Sequence, residues 1–279
     1  MTHRRAVWIL LGCTFIWGAS FVLNKMALAY TTPLLFMSLR FGCAALLLSG
    51  VYRSTTRNDW VVGLSLGSLF AAQLALFYIG LARIDPGRSA FLFGVQTPLV
   101  PILVLAAHRR APTARDMVAV TAAMLGAWWL TRPAGGAAGF GIGDLATLGS
   151  GTLAAFYVVL ASHIGPRHDP MRLLAVQLVA IAGLAALATV AFEHPRIALN
   201  LTTLTLTPFL ALASVASFGG QLMGQRLVRA TEAALIFALE PVVAAGVSIL
   251  AFGERFTPGQ WLGGAVILAA SVAAQAKKR

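Results

Sequence analysis

The chain has 279 residues, 58% of them hydrophobic and only 11% charged, with a mean hydropathy of +0.81. So few polar side chains cannot cover a water-soluble domain, and the composition reads as a membrane protein. A net charge of +12 is in the range of nucleic-acid binders, but the basic residues sit in short segments between apolar runs, which is a membrane pattern and points away from nucleic acid.

In chain order, apolar runs of about 18 to 23 residues are each long enough to cross ~30 Å of hydrocarbon as helix. They read as Ala6–Ala29, Pro33–Val51, Trp60–Leu81, Ser89–Ala107 and Ala114–Thr131, then Asp144–Ile164, Pro170–Phe192, Thr207–Val228, Glu232–Phe252 and Pro258–Ala274. The runs are continuous rather than alternating, so the expectation is ten transmembrane helices in an all-α membrane protein, not a barrel. With the N-terminus inside, fourteen of the 21 basic residues fall on the cytoplasmic side and five on the other, while Lys25 and Arg40 lie within spans. That bias places both termini in the cytoplasm of a bacterial-type inner membrane. Arg4-Arg5 and the apolar run behind it imitate a signal peptide, but its loss would leave nine spans, so the segment is read as the first helix. Cys13 and Cys43 both lie in spans and are read as packing residues rather than a disulfide framework.

Phe91-Leu-Phe-Gly-Val-Gln-Thr-Pro-Leu-Val-Pro101 returns in altered form at Ala234-Leu-Ile-Phe-Ala-Leu-Glu-Pro-Val-Val-Ala244, with Pro98 and Pro241 in register. The recurrence marks a duplication. Residues 1–132 form a first half, the Gly/Ala-rich stretch 133–143 a linker, and residues 144–279 a second half. Five spans in each half turn the second upside down relative to the first, as in transporters built from inverted repeats.

Three features now carry a resemblance. Trp17-Gly-Ala-Ser-Phe-Val-Leu-Asn-Lys25 opens the first half, Arg40-Phe41 follows, and Glu240-Pro241 precedes Gly253-Glu254-Arg255-Phe256-Thr257 and Gly263-Gly264. Together these resemble the EamA domain of the drug/metabolite transporter superfamily, and within it the amino-acid exporters of the YddG type. The resemblance implies ten helices in two inverted five-helix repeats and a central cavity worked by alternating access. It also implies export of small metabolites. The first half departs from the pattern, with His108-Arg109-Arg110 where a Gly-Glu-Arg turn is expected.

Charges inside spans are expensive and mark candidate sites. Glu240 is the only carboxylate well inside a span and either couples protons or ties helices together beside Pro241. Arg40 either takes a substrate carboxylate through its fork of donors or holds a fixed partner, helix carbonyls or Glu240. Lys25 either snorkels to headgroups or lines the outer entrance. Pro98, Pro101 and Pro241 break or hinge their helices and are expected to free the carbonyls of Gly94, Thr97 and Phe237. Gln73, Gln96, Gln177 and Gln221 supply amides, and Trp17, Phe77, Tyr78, Tyr157 and Phe237 supply rings, a set suited to a zwitterion with an apolar tail.

No phosphate-binding Gly-x-x-x-x-Gly-Lys-Ser/Thr loop, metal-ligand spacing or nucleophilic triad is readable in the sequence. The expectation is therefore a transporter and not an enzyme, with no cofactor and no metal. Its partners are a small-molecule substrate and the lipid bilayer, and a monomer suffices. Neutral or aromatic amino acids are the leading cargo. The alternatives are another amphipathic solute, such as a nucleobase, cationic drug or sugar phosphate, or an intramembrane enzyme on a lipid-linked substrate.

Overall fold

The computed structural model describes residues 1–108, 113–130, 141–252 and 257–275. Most of the expected linker, Gly253-Glu254-Arg255-Phe256, and Arg109-Arg110 lie outside the described residues. The helices of the first half are α1 (His3–Leu28), α2 (Pro33–Leu47), α3 (Arg57–Arg83), α4 (Pro86–Phe93), α5 (Gln96–His108) and α6 (Ala114–Leu130). The second half repeats the order with α7 (Ile142–Ile164), α8 (Pro170–Phe192), α9 (Leu201–Gly224), α10 (Ala230–Phe237), α11 (Glu240–Phe252) and α12 (Pro258–Gln275). Among the described residues there is no β-strand, only an isolated antiparallel bridge between Thr31 and Ile197.

Local chemistry sets the helix starts. Pro33, Pro86 and Pro170 open α2, α4 and α8, where a missing N–H costs nothing. The Thr56 side chain accepts the Asp59 amide while Asp59 returns a bond to the Thr56 amide, which caps α3 at both positions. Asn200 and Thr203 do the same for α9.

Among the described residues, seven stretches are long and apolar enough to cross a membrane. Two of these, Pro86–Ala106 and Ala230–Val247, run through paired helices. Here the sequence reading is corrected, since the expected continuous spans Ser89–Ala107 and Glu232–Phe252 are each two helices, interrupted at Gly94-Val95 and at Ala238-Leu239. Pro98 and Pro241 fall in the first turn of the second member of each pair, and Pro101 one turn later. The carbonyl of Gly94 is not free as expected. It accepts the Thr97 amide at 3.0 Å, because the chain tightens to an i to i+3 bond at the break and so reaches a donor ahead of the proline.

The helices of the two halves interleave. α1 packs on α9 as α7 packs on α3, α2 on α9 as α8 on α3, and α1 on α11 as α7 on α5, while α2 meets α8 and α6 meets α12. These cross-half packings are more extensive than those between helices of one half. Small residues permit the approach: a Cβ added at Gly67 of α3 would lie 2.7 Å from the Cβ of Ala180 on α8, and one at Gly63 would lie 2.6 Å from the Cβ of Val176.

Polar contacts join the halves at both ends of the bundle. On the face where α1 begins, His168 Nδ1 lies 2.9 Å from Asp59 Oδ1, and His3 Nε2 lies 3.0 Å from Glu232 Oε1. On the opposite face, Arg88 Nε lies 2.6 Å from Asp144 Oδ1. The Glu193 carboxylate there accepts the Leu34 and Leu35 amides at the start of α2, the end of a helix that favours an anion.

Candidate functional site

Between the halves lies an open cavity with about 630 Å³ of empty space, the solvent at its mouth included. Its wall is written at helical spacing. On α1, Trp17, Ser20, Phe21 and Asn24 follow the i, i+3, i+4, i+7 rule, as do Phe70, Gln73, Leu74 and Phe77 on α3, with Tyr78 beside them. From the second half come Ala154, Tyr157 and Val158 on α7, Phe218 and Gln221 on α9, Phe237 on α10 and Glu240 on α11. Arg40, Phe93 and Gln96 complete it from α2, α4 and α5. Both broken helix pairs thus reach the cavity beside their interruptions.

Aromatic rings hold one another across the wall. Phe70 stacks on Tyr157 with centroids 4.3 Å apart, Trp17 meets Phe237 edge-on at 5.1 Å, and Phe21 meets Phe77 at 5.1 Å. Such pairs are each worth about 0.5–1.5 kcal/mol beyond area burial. They also fix the shape of the apolar part of the cavity.

Of the residues expected from sequence, Trp17, Gln73, Phe77, Tyr78, Gln96, Tyr157, Gln221 and Phe237 line this space together. Gln177 does not. It is fully buried behind the wall, where its Oε1 accepts the Tyr157 hydroxyl at 2.8 Å, so it holds a lining residue instead of lining. Gln73 donates to Ser150 Oγ at 2.8 Å across the two halves. Ser20, Phe21, Asn24, Phe70, Leu74 and Phe93 were missed by the sequence reading. The stripes on α1 and α3 carry a signal that would have found most of them, since each passes through a residue already singled out.

The three intramembrane charges have different fates. Lys25 is not on the cavity wall; its Nζ donates to the carbonyls of Leu81, Ala82 and Ile84 at 2.8, 3.2 and 2.9 Å, closing the end of α3. This placement follows from the macrodipole, which favours a cation at a helix C-terminus. Arg40 is 3% exposed and lines the cavity. Its Nε donates to Leu210 O at 3.1 Å and Ser214 Oγ at 2.9 Å, and its Nη1 to Asn24 Oδ1 and Tyr78 Oη, both at 2.7 Å. Glu240 is also 3% exposed and lines the cavity, but it forms no ion pair with Arg40. Among the described residues no group of three or more His, Cys, Asp or Glu side chains is placed to hold a metal.

The profile of the EamA-like transporter family matches residues 4–132 and 141–274. The chain belongs to the EamA-like transporter family. This EamA-like protein is 26% identical over 260 residues to an uncharacterized transporter of Archaeoglobus fulgidus, covering 92% of this chain and 81% of that one. It is 28% identical over 135 residues to the uncharacterized transporter YyaM of Bacillus subtilis, covering 45% of this chain and 44% of that one. A solved crystal structure superposes on the EamA-like fold with a TM-score of 0.80 at 17% identity, over 97% of this chain and 98% of the other. The family and the apolar helices together make this a multi-pass membrane transporter.

Proposed function

We propose that this EamA-like protein is a secondary transporter of ten membrane-crossing helices in two inverted five-helix halves, exporting small organic metabolites by alternating access. Neutral and aromatic amino acids are the assigned cargo. The observation that carries the reading is the cavity, lined by eight of the nine side chains read as substrate-binding and walled by both halves. The matched cross-half packings and the two interrupted helix pairs support the inverted arrangement, because rocking one half against the other about paired hinges exposes such a cavity to each side in turn. A wall of facing rings and amides suits a solute with an apolar body and a polar head.

A sugar phosphate fits less well. It calls for at least two basic side chains in the cavity, and Lys25, the second intramembrane cation, is engaged at the end of α3. We assign the driving force to the solute's own gradient, since among the described residues Glu240 is the only acidic side chain on the wall.

Uptake by the purified protein in liposomes tests the reading, across a panel of amino acids, nucleobases and cationic drugs, with and without a pH gradient. The expected result is flux of neutral or aromatic amino acids that follows their gradient. Flux confined to nucleobases or drugs would replace the cargo, and no amino-acid flux at any pH would sink it. For the driving force, pH-driven accumulation by the wild type would overturn the gradient assignment, and its loss in Glu240→Gln with downhill flux retained would make Glu240 the proton carrier.

A further inference from the structure

The cavity contains a cation and an acid that do not meet. The four hydrogen bonds of the Arg40 guanidinium all go to neutral acceptors, its carbon lies 5.3 Å from the Phe41 ring centroid, and its third nitrogen, Nη2, has no hydrogen-bond partner among the described residues. The Glu240 carboxyl likewise has no hydrogen-bond or ion-pair partner among them, although it is 3% exposed. A third polar group, the buried Nε1 of Trp17, is also left without an acceptor. Both charged groups border the cavity, so a solute that displaces water from it must pair them, because burying ionic groups unpaired is strongly unfavourable. A structural role for Arg40 would account for Nε and Nη1, which tie α1, α2, α3 and α9 together, but leaves the open edge unexplained. The two N–H groups of Nη2 remain to donate, and a carboxylate accepts such donors in charge-assisted hydrogen bonds.

We propose that Arg40 and Glu240 are the two poles of the solute site: Arg40 Nη2 takes a carboxylate, Glu240 takes a cationic amino group, and the transported solute carries both. The proposal rests on the transport reading above and specifies the charge pattern that cargo must have. Trp17 Nε1 supplies a further donor to the solute, and the rings of Phe21, Phe70 and Phe77 receive its apolar body. The poles also orient the solute. Arg40 is seven residues into α2, ~10 Å from the face where that helix begins, while Glu240 lies ten residues beyond the start of α10, ~15 Å from the other face. The carboxylate is therefore held in the part of the cavity nearer the face where α2 starts.

The test is competition for binding to the full-length protein in detergent by three molecules that share one ring: phenylalanine, phenethylamine, which lacks the carboxylate, and 3-phenylpropanoate, which lacks the amine. In the wild type both truncated molecules are expected to bind at least about tenfold more weakly than phenylalanine, the cost of leaving a buried charged donor or acceptor unpaired. Arg40→Gln should weaken phenylalanine and phenylpropanoate about tenfold while leaving phenethylamine within about twofold, and Glu240→Gln should do the reverse. A purely structural arginine would weaken all three together, and that outcome overturns the proposal. Should Arg40→Gln not fold, the wild-type series still decides, because phenethylamine or phenylpropanoate binding as tightly as phenylalanine also overturns it. The two levels separate cleanly. Amino-acid flux without charge preference removes the poles and leaves the transporter reading intact, whereas no amino-acid flux and no binding of any of the three removes both.

Discussion

At Lys25 and Arg40 the same problem, a cation within an apolar helix, is solved in two ways. Lys25 satisfies three carbonyls at the end of α3 and fixes the α1–α3 contact. Replacing it by Met should leave those acceptors short of donors at a cost of about 1–2 kcal/mol. The expected outcome is a lower thermal midpoint in detergent with unchanged solute preference, because the side chain is off the cavity wall; a change in preference with unaltered stability would contradict the capping role. The sequence identified both cations as unusual but not their partners. Arg40 finds Asn24, Tyr78 and Leu210 at separations of 16, 38 and 170 residues, and no local pattern encodes such distances. Gln177 shows the complementary limit: polarity within a span correctly implied an interior position, but only the packing of α7 and α8 on α3 decides whether interior means cavity wall or the layer behind it.

At the level of elements, hydropathy located the helices and missed their interruptions, because Gly94-Val95 and Ala238-Leu239 are no less apolar than their surroundings. The recurring prolines carried the missing signal, and the breaks fall just before them. Packing between elements was less legible, since glycines are frequent along the chain and only the fold shows which of them face a neighbour. Gly63 and Gly67 form a small-xxx-small stripe pressed against Val176 and Ala180. Gly67→Leu would drive side-chain atoms into α8, and overpacking of this kind costs typically about 1–3 kcal/mol. Thermal unfolding should show a clear loss, and Gly67→Ala a smaller one; a Leu variant as stable as the wild type would mean that α3 and α8 are free to separate. Within the scheme proposed above, this seam between α3 and α8 is where the halves rest on each other without lining the cavity at either glycine.

For the molecule as a whole, the interleaving of helices means that neither half is a domain in the folding sense. α1, α2 and α3 take their largest contacts from α7, α8, α9 and α11. Residues 1–132 expressed alone should therefore give an aggregation-prone or rapidly degraded product, while coexpression with residues 141–279 should restore a monodisperse species by size-exclusion chromatography in detergent. A well-behaved first half on its own would refute this. The same topology imposes an order on synthesis. The ribosome makes Arg40 a full 170 residues before the Leu210 carbonyl that will receive its Nε, so α2, only 15 residues long, must wait in or at the membrane with only the Asn24 and Tyr78 acceptors of its Nη1 to answer its charge. Insertion scales put that charge at roughly 2.5–3.5 kcal/mol, which makes α2 a weakly committed segment until α9 emerges. Ribosome-arrested chains ending before residue 210 should leave a cysteine placed on α2 more reactive to an aqueous thiol reagent than the same cysteine in the completed protein.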